Sequence, residues 1–131
     1  MVLPVCDHYS GVEVRMRKSL QLQAEMTQEF GACVFDVTLD CEDGAPVGGE
    51  IEHAHLVREI AANAAPEARV AVRVHPVDHP SFGSDISLIV GSAHPKLRHV
   101  MVPKVETVAD VDAAANALNQ VGASSLPLHV L

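Results

Sequence analysis

Cys33-Val34-Phe35-Asp36-Val37-Thr38-Leu39-Asp40-Cys41-Glu42-Asp43-Gly44 alternates apolar and polar side chains without a break from Phe35 to Glu42. Successive side chains of an extended chain point to opposite faces. Cys33, Phe35, Val37, Leu39 and Cys41 therefore share one face, and Asp36, Thr38, Asp40 and Glu42 the other. Arg69–His75 repeats the pattern, with Val70, Val72 and Val74 set against Ala71, Arg73 and His75. Barrel strands that lead to a site need one apolar face under helices and one polar face toward a mouth. Strands buried on both sides of an open sheet read instead as continuous apolar runs. The alternation favours a barrel over an open doubly wound sheet.

Outward from these two runs, further strands are expected at Val2–Cys6, His99–Val102 and Leu128–Leu131, beside Cys33–Asp40 and Arg69–His75. Val12–Glu29 reads as a helix ended by Gly31, and Glu50–Ala65 as a second stopped by Pro66. Thr107–Gln120 is a third, with Thr107 and Asp110 at capping-box spacing and Gly122 behind it. Ser81–Gly91 is either a helix or an irregular crossover. Strands separated by long helical connections make right-handed crossovers and a parallel sheet. Each strand–helix unit uses about 30 residues, and a complete eightfold barrel needs about 250. The 131 residues are thus expected to hold one partial domain over 1–131. That domain is the N-terminal portion of a parallel (β/α)8 TIM-type barrel, with four βα units, a fifth strand and the C-terminal half absent.

Composition narrows the function classes. Hydrophobic residues make up 48% and charged residues 20%, the balance of a folded domain. No apolar run approaches the roughly 20 residues of a membrane span, and the start MVLPVCDHYSG lacks a basic-then-apolar secretion signal. The net charge of −8 disfavours a nucleic-acid partner. Lys96 and Arg98 read as a solvated loop. Aromatic content of 3% without tryptophan leaves little for a base- or sugar-stacking surface. Cys6, Cys33 and Cys41 form no C-x-x-C; Cys33 and Cys41 are expected reduced and half-buried, which fits a cytoplasmic protein.

In either architecture ligands gather at the C-terminal ends of the strands. Three patches fall there: Leu39-Asp40-Cys41-Glu42-Asp43-Gly44-Ala45, Val72-Arg73-Val74-His75-Pro76 and Val102-Pro103-Lys104-Val105-Glu106. Carboxylates can fix an arginine fork whose planar donors suit a substrate carboxylate. The same residues would also serve as an ion-pair network closing the top of a barrel, and spacing does not separate the two.

In this order, about 30 residues apart, L-D-x-E-D-(G/A), V-R-V-(N/H)-P and V-P-K-V-E resemble the citrate lyase β-subunit-like lyases of the HpcH/HpaI aldolase superfamily. Malyl-CoA and citramalyl-CoA lyases are among its members. The resemblance runs over the whole chain. It implies a (β/α)8 barrel, Mg2+, and reversible cleavage of a 3-hydroxyacyl-CoA into a short acyl-CoA and a 2-oxo acid. It also implies that Arg73 grips the 2-oxo acid, that Asp40, Glu42 and Asp43 form the acidic stretch beside the metal, and that Lys104 is a further site residue. The family's metal carboxylates lie on strands five and six, so they are expected beyond residue 131, and this chain alone is expected to be inactive. The expected partners are a 2-oxo acid, an acyl-CoA and further copies of the chain in a homo-oligomer. Three departures stand out: Leu3-Pro4-Val5-Cys6-Asp7-His8 where F-V-P-G-N is usual, His75 in place of asparagine, and Gly44 where alanine is common.

Two other readings stay open: a CoA-independent 2-oxo acid aldolase on the same scaffold, and a non-catalytic half-barrel with an assembly role. The histidines add little. His53 and His55 are two apart on a helix and point apart, while His75 and His79 read as part of a surface loop, H-P-V-D-H-P. No zinc, P-loop or dinucleotide-binding motif is present.

Overall fold

The computed structural model describes Pro4 and residues 6–131. Five parallel strands form one sheet: β1 (Cys6–Ser10), β2 (Phe35–Asp40), β3 (Val70–Arg73), β4 (Leu97–Val102) and β5 (Leu128–Val130). Helices α1 (Glu13–Phe30) and α2 (Glu50–Ala62) make the first two crossovers, and α5 (Val108–Gln120) the last. Between β3 and β4 the chain runs through α3 (Phe82–Asp85), a π-helical turn (Ile86–Val90), α4 (Gly91–Ala93) and a 3₁₀ turn (His94–Lys96). The ambiguous Ser81–Gly91 segment is therefore helical, though not uniformly so.

Spatial order along the sheet equals chain order, β1-β2-β3-β4-β5, and each neighbouring pair is parallel. A doubly wound sheet reverses its strand order at a switch point. Here there is no reversal. The winding is that of a barrel wall.

The two faces follow the alternation. Val37, Leu39, Val70, Val72, Val100 and Val102 are fully buried in one cluster with Met16, Val57, Ile89 and Leu118 from the helices. The opposite face carries Asp36, Thr38, Asp40 and Arg73, all with polar partners. Gln23 of α1, 3% exposed, ties the lower ends of β2 and β3 together. Its Nε2 donates to the carbonyls of Phe35 and Arg69, both at 2.9 Å, and its Oε1 accepts from the Arg69 N–H at 3.2 Å. Cys41 is buried rather than half-buried, and burial pushes its thiol well up.

Several boundaries differ from the sequence reading, among them β3, which runs Val70–Arg73 in place of Arg69–His75. Of the first expected strand, Val2–Cys6, residues Val2, Leu3 and Val5 lie outside the described residues. The strand observed starts at Cys6 and pairs Cys6 with Phe35 through to Ser10 with Leu39. A search for apolar, β-branched runs passes over Asp7-His8-Tyr9-Ser10. These residues are held extended by ladder pairing and by side-chain bonds, Thr38 to Asp7 at 2.6 Å and Ser10 with Ser19 at 2.7 Å. β4 begins at Leu97, which makes Arg98 an exposed strand residue rather than part of a loop. α2 ends at Ala62, where Asn63 closes it by donating to Glu59 O, three residues ahead of Pro66.

α5 carries the expected box. Thr107 Oγ1 accepts from Asp110 N at 3.2 Å, and Asp110 Oδ2 accepts from Thr107 N at 3.0 Å. Thr107→Ala should lower unfolding free energy by about 1 kcal/mol, read as a lower urea midpoint at constant slope. No helix among the described residues is long and apolar enough to cross a membrane.

Candidate functional site

The ends of β2 and β3 place Asp40 opposite Arg73 in the ladder. Both side chains project from the polar face, so they meet side-on. Arg73 Nε donates to Asp40 Oδ1 at 2.8 Å and Nη2 donates to Oδ2 at 2.6 Å. The same carboxylate accepts the N–H of Glu42 at 2.9 Å and of Gly44 at 2.7 Å. Burial alone would raise the Asp40 carboxyl. The Arg73 hydrogen bond, the Glu42 N–H, the Arg73 charge and the Gly44 N–H outweigh it and hold the carboxyl below its usual range. Bonding to Asp40 likewise raises the Arg73 guanidinium against the cost of its own burial.

Arg73 uses two of its five N–H donors on Asp40. Its Nη1 has no hydrogen-bond partner among the described residues. The ring of Tyr9, on β1, lies over the guanidinium with 4.7 Å from Cζ to the ring centroid. Burial first, then the charge of Asp7, keeps the Tyr9 phenol protonated beyond its ordinary range. His53 of α2 adds an Nε2 contact at 2.9 Å to the Asp40 carbonyl oxygen.

The loop after β2 is held against the end of β1 by a close backbone approach. A Cβ on Gly11 would lie 2.0 Å from Gly44 O. A Cβ on Gly44 would lie 2.4 Å from Asp40 Oδ2. This is a contact of backbone with backbone that admits no side chain at Gly11.

The acidic stretch is split by the turn. Asp40 faces Arg73, while Asp43 is exposed. The Glu42 side chain is 5% exposed, and neither carboxylate oxygen has a hydrogen-bond partner among the described residues. Lys104 sits after β4 in the left-handed region, φ 57°, an uncommon conformation for a non-glycine residue. Its Nζ lies 3.4 Å from Glu42 Oε1 and 3.5 Å from Asp43 Oδ1. Glu42 foremost, then Asp43, raises the Lys104 amine. Glu42, Glu50, His75, His79 and Lys104 line a cavity of about 200 Å3 between the loops.

His75 departs from both expectations made of it. β3 ends at Arg73, so the alternation that would set His75 beside Arg73 stops there. Asp85 takes His75 instead, its Oδ2 accepting the His75 backbone N–H at 2.9 Å and meeting Nδ1 at 2.6 Å. His75 is 7% exposed and stacks on His79 at 4.2 Å, so this part of H-P-V-D-H-P is not a solvated loop. Burial raises the Asp85 carboxyl even against its His75 bonds. Tyr9 and Asp85 were not singled out from the sequence, and His53 was weighed only as a metal pair with His55 and set aside. Only Tyr9 left a signal, the Asp7/Tyr9 alternation within a run too polar to read as a strand.

The family model for HpcH/HpaI aldolase/citrate lyase matches residues 20–124. The chain belongs to this family. A citrate lyase subunit beta-like protein of Deinococcus radiodurans is 35% identical over 72% of this chain and 33% of its own length. A citrate lyase structure from Burkholderia xenovorans is 38% identical with a TM-score of 0.81, covering 98% of this chain and 40% of that one. The lead(II) complex of Haloferax volcanii malate synthase superposes with a TM-score of 0.67 at 18% identity, over 95% of this chain and 39% of that one, a likeness of fold. The chain thus spans about a third of the curated HpcH/HpaI relative and two fifths of the solved structures.

Proposed function

We propose that this chain supplies the 2-oxo-acid anchor of a carbon–carbon lyase that joins or separates a short acyl-CoA and a 2-oxo acid. The observation that carries the reading is the Asp40–Arg73 pair. Asp40 occupies the Nε–Nη2 edge of the guanidinium, leaving the Nη1–Nη2 edge as a second fork. That fork matches the two oxygens of a ligand carboxylate. Family membership makes an aldol-type lyase the natural setting for such an anchor.

In cleavage the substrate hydroxyl gives its proton to a base and becomes the carbonyl of the 2-oxo acid. The C–C bond electrons pass to the thioester as an enolate, and a proton returned to the enolate carbon completes the acyl-CoA. Arg73 would hold the carboxylate next to the new carbonyl, fixing the reacting carbon and neutralising a charge that persists throughout. Mg2+, which the family resemblance implies, would act as a Lewis acid when bound. Among the described residues no group of three or more His, Cys, Asp or Glu side chains converges on one point. Asp40 is already bonded to four donors. The described residues do not make a Mg2+ site by themselves. Free thiols at Cys6, Cys33 and Cys41 accord with a cytoplasmic setting.

Arg73→Lys tests the anchor. It keeps the charge and loses the fork, and should weaken pyruvate or glyoxylate binding about tenfold, or about 1.4 kcal/mol. Isothermal titration on the folded variant measures this. An affinity equal to wild type would remove Arg73 from the site.

A further inference from the structure

We infer that Tyr9 is a positioning residue for the anchor: its ring braces the Arg73 guanidinium so that only the Nη1–Nη2 edge is offered to a ligand carboxylate. The inference rests on the reading of Arg73 given above and goes beyond it, since it names what orients the fork.

A guanidinium is flat, and a flat group on a flexible stem must be fixed both in its plane and about its stem. Asp40 does the first, through two bonds of 2.8 and 2.6 Å along one edge. An edge contact leaves the plane free to rock about the line joining the two acceptor oxygens. The Tyr9 ring, 4.7 Å from Cζ, stands against the guanidinium and opposes that motion. Both partners are largely shielded from water: the Arg73 side chain is 14% exposed and Tyr9 is half-buried. Cation–π attraction is strongest where solvent is excluded.

Placement reinforces the point. Tyr9 stands opposite Thr38 on β2, two positions along from the pairing level of Asp40 and Arg73. Ser10, its neighbour, is turned to the opposite face and bound to Ser19 of α1 at 2.7 Å. The neighbouring Asp7 side chain is engaged by Thr38. β1 is thereby held on both sides of Tyr9, which fixes the strand position from which its ring reaches Arg73.

The chain contains one tyrosine and no tryptophan. Tyr9 emission is therefore an unambiguous reporter of its own surroundings. Pyruvate and glyoxylate are titrated into the whole chain by calorimetry and by tyrosine fluorescence, for wild type, Tyr9→Phe, Tyr9→Leu and Arg73→Met. In parallel, solvent exchange of the Arg73 Nε–H is followed by nitrogen-edited NMR without ligand. The expected result is that Tyr9→Phe, which keeps the ring, binds within about twofold of wild type, whereas Tyr9→Leu binds about fivefold more weakly. Tyr9→Leu should also speed Arg73 Nε–H exchange with an unchanged far-ultraviolet dichroism spectrum. Tyr9 emission should respond to pyruvate in wild type and not in Arg73→Met. Wild-type affinity and wild-type Nε–H exchange in Tyr9→Leu would overturn the inference while leaving the anchor intact. Equal pyruvate binding by wild type and Arg73→Met would instead overturn the anchor reading, and the role of Tyr9 with it.

Discussion

Asp40→Ala is expected to destabilise the folded chain by about 3–5 kcal/mol, the usual cost of removing one partner from a buried ion pair. Asp40 is 1% exposed at its side chain and Arg73 14%. The truncation leaves the guanidinium without its counter-ion and the N–H groups of Glu42 and Gly44 without their acceptor. Urea denaturation measures the loss, and a change below about 1 kcal/mol would mean that water or a neighbour takes over all four bonds. The same carboxylate sets a pH dependence. Its folded-state ionisation lies below the usual range, so Asp40 contributes stability above the unfolded value of about 3.9. That contribution disappears as pH falls through the lower, folded-state value. Asp85 works in the opposite direction. Its raised ionisation means that its charged form burdens the fold, and acidification through the window between the raised and the ordinary value relieves that burden. The acid limb of the stability curve should therefore shrink in Asp40→Asn and steepen in Asp85→Asn.

Gly11→Ala is expected to cost about 3 kcal/mol or more, at or beyond the upper end for overpacking. The added Cβ would stand 2.0 Å from Gly44 O and 2.6 Å from Ala45 N, both backbone atoms that cannot swing away as a side chain can. Either β1 or the loop after β2 must move. Movement of that loop would stretch the Gly44 N–Asp40 bond of 2.7 Å and loosen the anchor as well. Gly83→Ala is the control. It is helical, its Cβ would meet nothing within 4 Å, and alanine is favoured over glycine inside a helix by about 1 kcal/mol. Equal stability of Gly11→Ala and wild type would show that the close approach is not a constraint in solution.

Much of the scaffold was legible because the signals that write it are local. Alternation at a period of two assigned Val37 and Leu39 to the core and Asp36, Thr38 and Asp40 to the other face, and the structure places them so. Spacing of about 30 residues between strands predicted parallel crossovers, and Thr107 with Asp110 predicted the start of α5. Asp36 and Asp40, like Arg69 and Arg73, are four apart on one strand face, a spacing visible in the sequence. That they pair rung by rung across β2 and β3 was not visible, because register depends on how two distant strands slide against each other.

The misreadings share that cause. Cys6–Ser10 is too polar to announce a strand, and becomes one only because β2 offers it a ladder and Asp7 and Ser10 find partners on opposite sides. His75 follows the rule of alternation up to the point where Asp85, ten residues on, outcompetes it. Faces, periods and caps were determined by the sequence alone, since a residue and its neighbours two to four positions away decide them. The join of Gly11 to Gly44, the brace of Tyr9 on Arg73 and the capture of His75 were decided by the tertiary structure alone. Each depends on residues far apart in the chain, or turned out of their strand, that only the packed sheet and loops bring within a few ångströms.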